Sequence, residues 1–129
     1  MGKEELKQKV VKKVENIINA LAAKDYTGLA KVTSLDDSWL DEDKTLEDCC
    51  LEFGEWLDGQ LDLWAEDEGK EFVIDNFAID AIDSLDELEV YENEVFVTYN
   101  PTSYGEVLDF WFEITINIEK EECIFNINI

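Results

Sequence analysis

The stretch from Leu108 to Ile118 reads LDFWFEITINI, and its alternation decides the fold. Leu108, Phe110, Phe112, Ile114, Ile116 and Ile118 fall on one side, Asp109, Trp111, Glu113, Thr115 and Asn117 on the other. A period of two belongs to a β-strand with one face in a core. The charged turn Glu119 to Glu122 follows. Cys123, Phe125, Ile127 and Ile129 then point opposite to Asn126 and Asn128, as in the second arm of an antiparallel hairpin. Towards the N-terminus, Val95, Val97 and Tyr99 share a face within 88–99, the apolar run 72–82 broken by aspartates predicts a further strand, and residues 100–105 make a loop.

Before residue 66 the period is 3.6. Leu6, Val10, Val11, Val14, Ile17, Ile18 and Leu21 recur at steps of three and four, which predicts an amphipathic helix over 3–23. Asp25 and Thr27 are N-caps for a short helix through Leu29, Ala30 and Val32, and Ser34 with Asp37 repeats the capping pattern, predicting a broken helical continuation. Thr45 with Asp48 opens a longer helix carrying Leu46, Cys49, Cys50, Phe53, Trp56, Leu57, Leu61 and Trp64 to about residue 65, although the alternation over 61–64 also suits the start of a strand. Helices first and strands afterwards is an α+β arrangement. The expectation is a single domain over 1–129, with a helical part over about 3–66 and antiparallel strands over about 70–129. The N-terminal helices pack on a curved antiparallel sheet of about four strands.

This order of elements carries a resemblance. A first amphipathic helix, then Ala23-Lys24-Asp25-Tyr26 and Leu29, then long strands ending in Cys123-Ile124-Phe125-Asn126-Ile127, resembles the nuclear-transport-factor-like (cystatin-like) cone fold. The resemblance implies a sheet wrapped round a helix, with room for a pocket between them. Members of that family that act as isomerases, dehydratases or cyclases use a pocket aspartate, often with a histidine. This chain has no histidine, so no catalytic residue carries over. Between the second and third helices, where the family has a strand, the periodicity reads none.

Composition narrows the function further. The 129 residues hold 33 acidic side chains against 10 basic ones, a net charge of −23, which excludes unaided binding to nucleic-acid backbone or to an anionic membrane. All ten basic residues are lysine, so there is neither a guanidinium fork nor an imidazole base or ligand. With 46% hydrophobic and 12% aromatic residues the chain can offset the entropy of ordering its backbone, so disorder is not expected. No apolar run is long enough for a membrane span or a secretory signal, which gives a cytoplasmic location by default. Cys49, Cys50 and Cys123 lack metal-ligand spacing and read as reduced, buried thiols. Residues 1–31 carry seven lysines against four acids, a balance of +3 that leaves −26 for the rest, so the first helix is placed to supply counter-charge.

Sites for chemistry are scarce. Asp36, Asp37, Asp41, Glu42, Asp43, Glu47 and Asp48 could surround a calcium ion, but the loop lacks the turn glycine and contains Lys44, so it reads as a solvated acidic loop. Asp75, Asp80 and Asp83 could supply a carboxylate pair. Ser34, Ser38, Ser84 and Ser103 have only lysine as a base, and there is no glycine-rich phosphate loop. No catalytic residue, metal or cofactor is expected.

Solubility needs a net charge of only about 2–8 in magnitude. The excess points to a cationic partner, whose encounter an acidic surface steers. Tryptophans set among acids add apolar anchors. The charge profile resembles that of small acidic bacterial immunity proteins. The expectation is an inhibitor that neutralises a basic toxin, a nuclease above all, as a monomer or weak dimer. It would bind through Asp36, Asp37, Trp39, Asp41, Glu42, Asp43, Trp64, Glu66, Asp67, Glu68, Asp109, Trp111 and Glu113. Trp111 could instead belong to a second core on the far side of the sheet. Three other readings fit the sequence: a phage-type nucleic-acid mimic with carboxylates at phosphate intervals, a cone-fold small-molecule binder or lyase with a cavity of about 300 Å³ or more, and a halophilic or otherwise plainly acidic housekeeping domain with evenly dispersed acids, against which the basic first helix argues.

Overall fold

Six apolar residues at helical spacing seat the first helix, α1 (Lys3–Ala22). Leu6, Val10, Val14, Ile17, Ile18 and Leu21 are all buried, while Lys3, Lys9 and Lys12 on the other side stay exposed. In this computed structural model, which describes residues 2–128, a second helix α2 (Tyr26–Val32) follows after a short turn. The Asp25 carboxylate caps it by accepting the Gly28 N–H at 3.0 Å.

The predicted helical continuation does not form. Thr33 is extended, at φ −156° and ψ 159°, and Ser34–Leu35 is a strand, β1. Leu35 turns into the core, and the Asp36 N–H donates to the Phe125 carbonyl at 2.9 Å. The capping signature belongs instead to Asp36, whose carboxylate accepts from the Ser38 N–H and opens a single 3₁₀ turn over Asp37–Trp39. A strand thus stands between the second and third helices.

The third helix, α3 (Leu46–Glu68), begins at the predicted cap, with Thr45 Oγ1 accepting the Asp48 N–H at 3.1 Å, and ends at Gly69 in the left-handed region at φ 68°. Residues 61–64 are helical. Gly54 has a packing role inside this helix: a Cβ there would overlap the Tyr26 ring. That close approach lets the Tyr26 hydroxyl donate to Asp58 Oδ1 at 2.8 Å, tying α2 to α3.

Two strands, β2 (Glu94–Tyr99) and β3 (Thr102–Ser103), precede β4 (Glu106–Val107), β5 (Trp111–Asn117) and β6 (Glu122–Asn128). The main sheet has the order β1-β6-β5-β2. It is antiparallel except for β1, which runs parallel to β6, so the expected four strands form a mixed sheet. Val97, Ile114 and Phe125 lie in cross-strand register and are buried, as are Val95, Tyr99, Phe112, Ile116 and Cys123. Strands β3 and β4 form a separate small hairpin.

The run 72–82 is not a strand. Its apolar residues come in consecutive clusters, Phe72-Val73-Ile74 and Phe77-Ala78-Ile79, without a period of two, and the chain forms a strap with 3₁₀ turns at Ile79–Ala81 and Leu85–Glu87. Ile74 and Ile82 anchor the strap in the core. Its backbone covers the β2 edge: Asp83 N–H donates to the Thr98 carbonyl at 3.2 Å, and Asn100 N–H to the Ala81 carbonyl at 2.9 Å. Ile129, expected in the last strand, lies outside the described residues.

The lysines of α1 meet acids of the body, with Lys7 3.2 Å from Asp86 and Lys9 3.1 Å from Glu121. Lys9 also holds the Glu121 carboxyl below its ordinary range. All three cysteines are free and buried, and burial pushes the Cys50 thiol up to about 11.

Candidate functional site

The solvent side of α3 is a ridge of carboxylates. The helix carries nine acidic residues in 23 and no basic one; Glu47, Asp48, Glu52, Glu55, Asp62, Glu66, Asp67 and Glu68 are exposed, and Asp58 is half-buried. At 1.5 Å per residue the row Asp48, Glu52, Glu55, Asp58, Asp62 and Glu66 spaces its carboxylates about 4.5–6 Å apart along the axis, wider than the 3.4 Å axial spacing of phosphates on one DNA strand, with Glu47, Asp67 and Glu68 crowded at the ends. Leu51 and Leu63 are exposed on the same helix. The helix can bear this density because its buried face, Cys49, Cys50, Phe53, Leu57 and Leu61, is apolar.

The loop before α3 extends the ridge. Asp37, Asp41, Glu42 and Asp43 are exposed and Asp36 is half-buried. Trp39 holds the loop against the first half of the helix: its ring lies 4.9 Å from Phe53 and 5.2 Å from Trp56, and its indole N–H donates to Asn126 Oδ1 at 3.2 Å. Trp39 is therefore a packing residue that positions the loop. Asp36 and Asp41 spend carboxylate oxygens on the N–H groups of Ser38 and Asp43, as loop carboxylates do in local turns. Among the described residues no three His, Cys, Asp or Glu side chains are grouped to hold a metal ion.

At the other end of α3 the structure assembles a cleft of about 600 Å³, larger than the smallest sites that take small molecules. Trp64, Asp67, Glu68 and Asp109, all read from the sequence, line it together with Lys70, Glu71, Phe72, Ser103, Tyr104, Glu106, Val107, Leu108 and Phe110. Trp64 packs on Phe110 with ring centres 5.2 Å apart. Lys70 Nζ donates to Glu106 Oε2 at 2.9 Å and lies 5.4 Å from the centre of the Phe72 ring. The charge of Glu71, followed by burial, raises the Tyr104 phenol. Sequence reasoning missed Lys70, although it is the one lysine between Lys44 and Lys120 and so marks the place where an acidic tract holds a cation.

Trp111 and Glu113 lie elsewhere, on the sheet face opposite the helices. The Trp111 indole N–H donates to Glu113 Oε1 at 3.2 Å, and the Asn128 amide donates to the same oxygen at 3.1 Å. Trp111 is 38% exposed, Ile124 45% and Phe96 56%, so this face is open and forms no second core. The thirteen residues expected in one surface thus divide among the loop and α3 ridge, the cleft, and the outer sheet face.

The candidate carboxylate pair and serines have structural partners. Asp75 Oδ2 accepts the Gly105 N–H at 2.8 Å and the Thr102 hydroxyl at 3.2 Å, while Asp80 and Asp83 are exposed. Ser103 Oγ accepts the Val73 N–H and Ser84 Oγ the Thr98 N–H. No helix among the described residues is long and apolar enough to cross a membrane. Comparison with protein-family models, with curated proteins and with solved structures finds no match to this chain.

Proposed function

We propose that this chain is a binding protein of the immunity type, which inhibits a basic macromolecule, above all a nuclease toxin, in the cytoplasm. The observation that carries this reading is the ridge: nine carboxylates on one helix without a counter-ion in that helix, continued by the pinned loop at 36–43. Such a surface steers a cationic partner and fits a groove made for phosphates. The leucines at 51 and 63 give the ridge apolar contacts once water is expelled. The continuous row of carboxylates along one side of α3 supports a nucleic-acid mimic as the second reading; both readings place the same helix in the partner's groove. Binding in preference to catalysis is supported by the engagement of Asp75, Ser84 and Ser103 in backbone hydrogen bonds.

The test is kinetic. A partner captured with this chain as bait is purified, and association is followed at about 50 mM and about 500 mM salt. A charge-steered on-rate falls tenfold or more, and the triple variant Glu55→Gln, Asp62→Asn, Glu66→Gln weakens binding about tenfold with an unchanged melt. An on-rate indifferent to salt, or a triple variant of undiminished affinity, removes the ridge as the interface.

A further inference from the structure

We propose that the cleft between the end of α3 and the β3–β4 hairpin binds a small organic cation, an ammonium or guanidinium carried on an apolar body. This goes beyond the proposed inhibitor role, which uses the outer ridge of α3, and needs no protein partner.

Four observations carry it. The first is size: about 600 Å³ is room for a small molecule with an apolar frame and exceeds what a lone side chain fills. The second is chemistry. Trp64, Phe72 and Tyr104 offer aromatic surface over the buried Phe110, and ring faces attract a cation that has shed part of its water. The third is charge. Five lining carboxylates, Asp67, Glu68, Glu71, Glu106 and Asp109, stand against the single ammonium of Lys70, a net of −4. An anion is repelled, and a neutral ligand gains nothing from them. The fourth is the chain's own ammonium. Lys70 Nζ already sits between the Phe72 ring, at 5.4 Å, and Glu106, at 2.9 Å, so one wall holds a tethered cation in the arrangement a free one would adopt.

The cleft is also held open before any ligand arrives. Tyr104, at φ 49°, and Gly105, at φ 82°, form the tight hairpin turn that sets the Tyr104 ring at the rim. Asp75 fixes that turn through the Gly105 N–H and the Thr102 hydroxyl, and Ser103 ties it to Val73. A prearranged wall spares the ligand the cost of ordering it.

Titration calorimetry with three probes of matched shape tests the proposal: 2-phenylethylammonium, neutral 2-phenylethanol and anionic 3-phenylpropanoate. The ammonium is expected to bind with Kd below about 1 mM, the alcohol at least about tenfold more weakly, and the carboxylate not at all. Glu71→Gln with Asp109→Asn should weaken the ammonium about fivefold or more, and Lys70→Gln, which removes the tethered competitor, should tighten it. Glu52→Gln with Glu55→Gln on the ridge should leave Kd within about twofold. All these changes are at exposed positions, and melting curves report the fold of each variant. Equal binding of ammonium and alcohol, an equal loss from the ridge pair, or no binding at about 10 mM ammonium overturns the proposal. Since no protein partner is present, failure here leaves the inhibitor reading standing, and a salt-indifferent inhibitor leaves this one standing.

Discussion

Tyr99 buries a phenol at 0% exposure between Phe77 and Phe112, with ring centres 6.0 and 6.3 Å away, and among the described residues its hydroxyl makes no well-aligned hydrogen bond, the Ala78 backbone N–H offering it only a poorly aligned one. An unpaired buried hydroxyl costs about 1–3 kcal/mol of desolvation. Tyr99→Phe keeps the ring stack and removes that cost, so it is expected to raise the unfolding free energy by about 1 kcal/mol in urea titration. A loss of similar size would mean that the Ala78 N–H satisfies the hydroxyl after all. The alternation 95–97–99 made the burial of this side chain legible in the sequence, but not the orphaned hydroxyl, because hydrogen-bond satisfaction depends on chain segments far apart. Trp39 shows the same limit. Its acidic neighbours suggest a solvent-facing anchor, whereas Phe53, Trp56 and Asn126, distant in sequence, hold it in place.

Elements with a local signal were legible and those without one were not. The Thr45 and Asp48 box, the stripe of α1 and the alternation of β5 each lie within one stretch of chain, where capping and amphipathic period are complete. Strand β1 has two residues, too few to show a period, and its partner Ile124–Phe125 lies about ninety residues on. The β3–β4 hairpin, equally short, builds a cleft wall, which is why only Trp64, Asp67, Glu68 and Asp109 of that cleft are legible as binding residues in the sequence. The contact between α2 and α3 gives a pH prediction. Burial, then the hydrogen bond to Asp58, raises the Tyr26 phenol far above its ordinary value, and burial raises Tyr99, Cys50 and Cys123 too. Above their ordinary pKa values the unfolded chain releases these protons first, so the native state binds more protons and stability falls as pH rises. Urea midpoints should decline from about pH 9 through the thiols and more steeply above about pH 10 through the phenols. Tyr26→Phe should flatten the upper part, and a midpoint constant from pH 8 to about 10.5 contradicts the buried placement of these groups.

At the scale of the whole molecule, −23 spread over 7,681 Å² of surface leaves one net charge per about 330 Å², roughly 18 Å apart. At about 10 mM ionic strength the screening length is about 30 Å and each charge feels several neighbours; at about 150 mM it is about 8 Å and it feels almost none. The folded state, which concentrates the charge, gains more from screening than the unfolded chain. Two terms oppose each other. Salt also weakens the α1 pairs Lys7–Asp86 and Lys9–Glu121, but exposed pairs are worth only about 0–1 kcal/mol each. The repulsion among carboxylates outweighs them: α3 alone carries nine, of which, among the described residues, only Glu52 and Asp58 pair with a lysine, Lys44 and Lys24. Tm should therefore rise by about 3–8 °C between 10 and 150 mM sodium chloride, the shift that about 1–2 kcal/mol produces in a domain of this size. A Tm that falls with salt would mean that the lysines of α1 neutralise the body more fully than their geometry indicates, leaving no surplus field to draw in a cationic partner. The same measurement on Lys7→Gln with Lys9→Gln separates the terms: without those lysines the low-salt Tm should drop further and the gain on adding salt should grow.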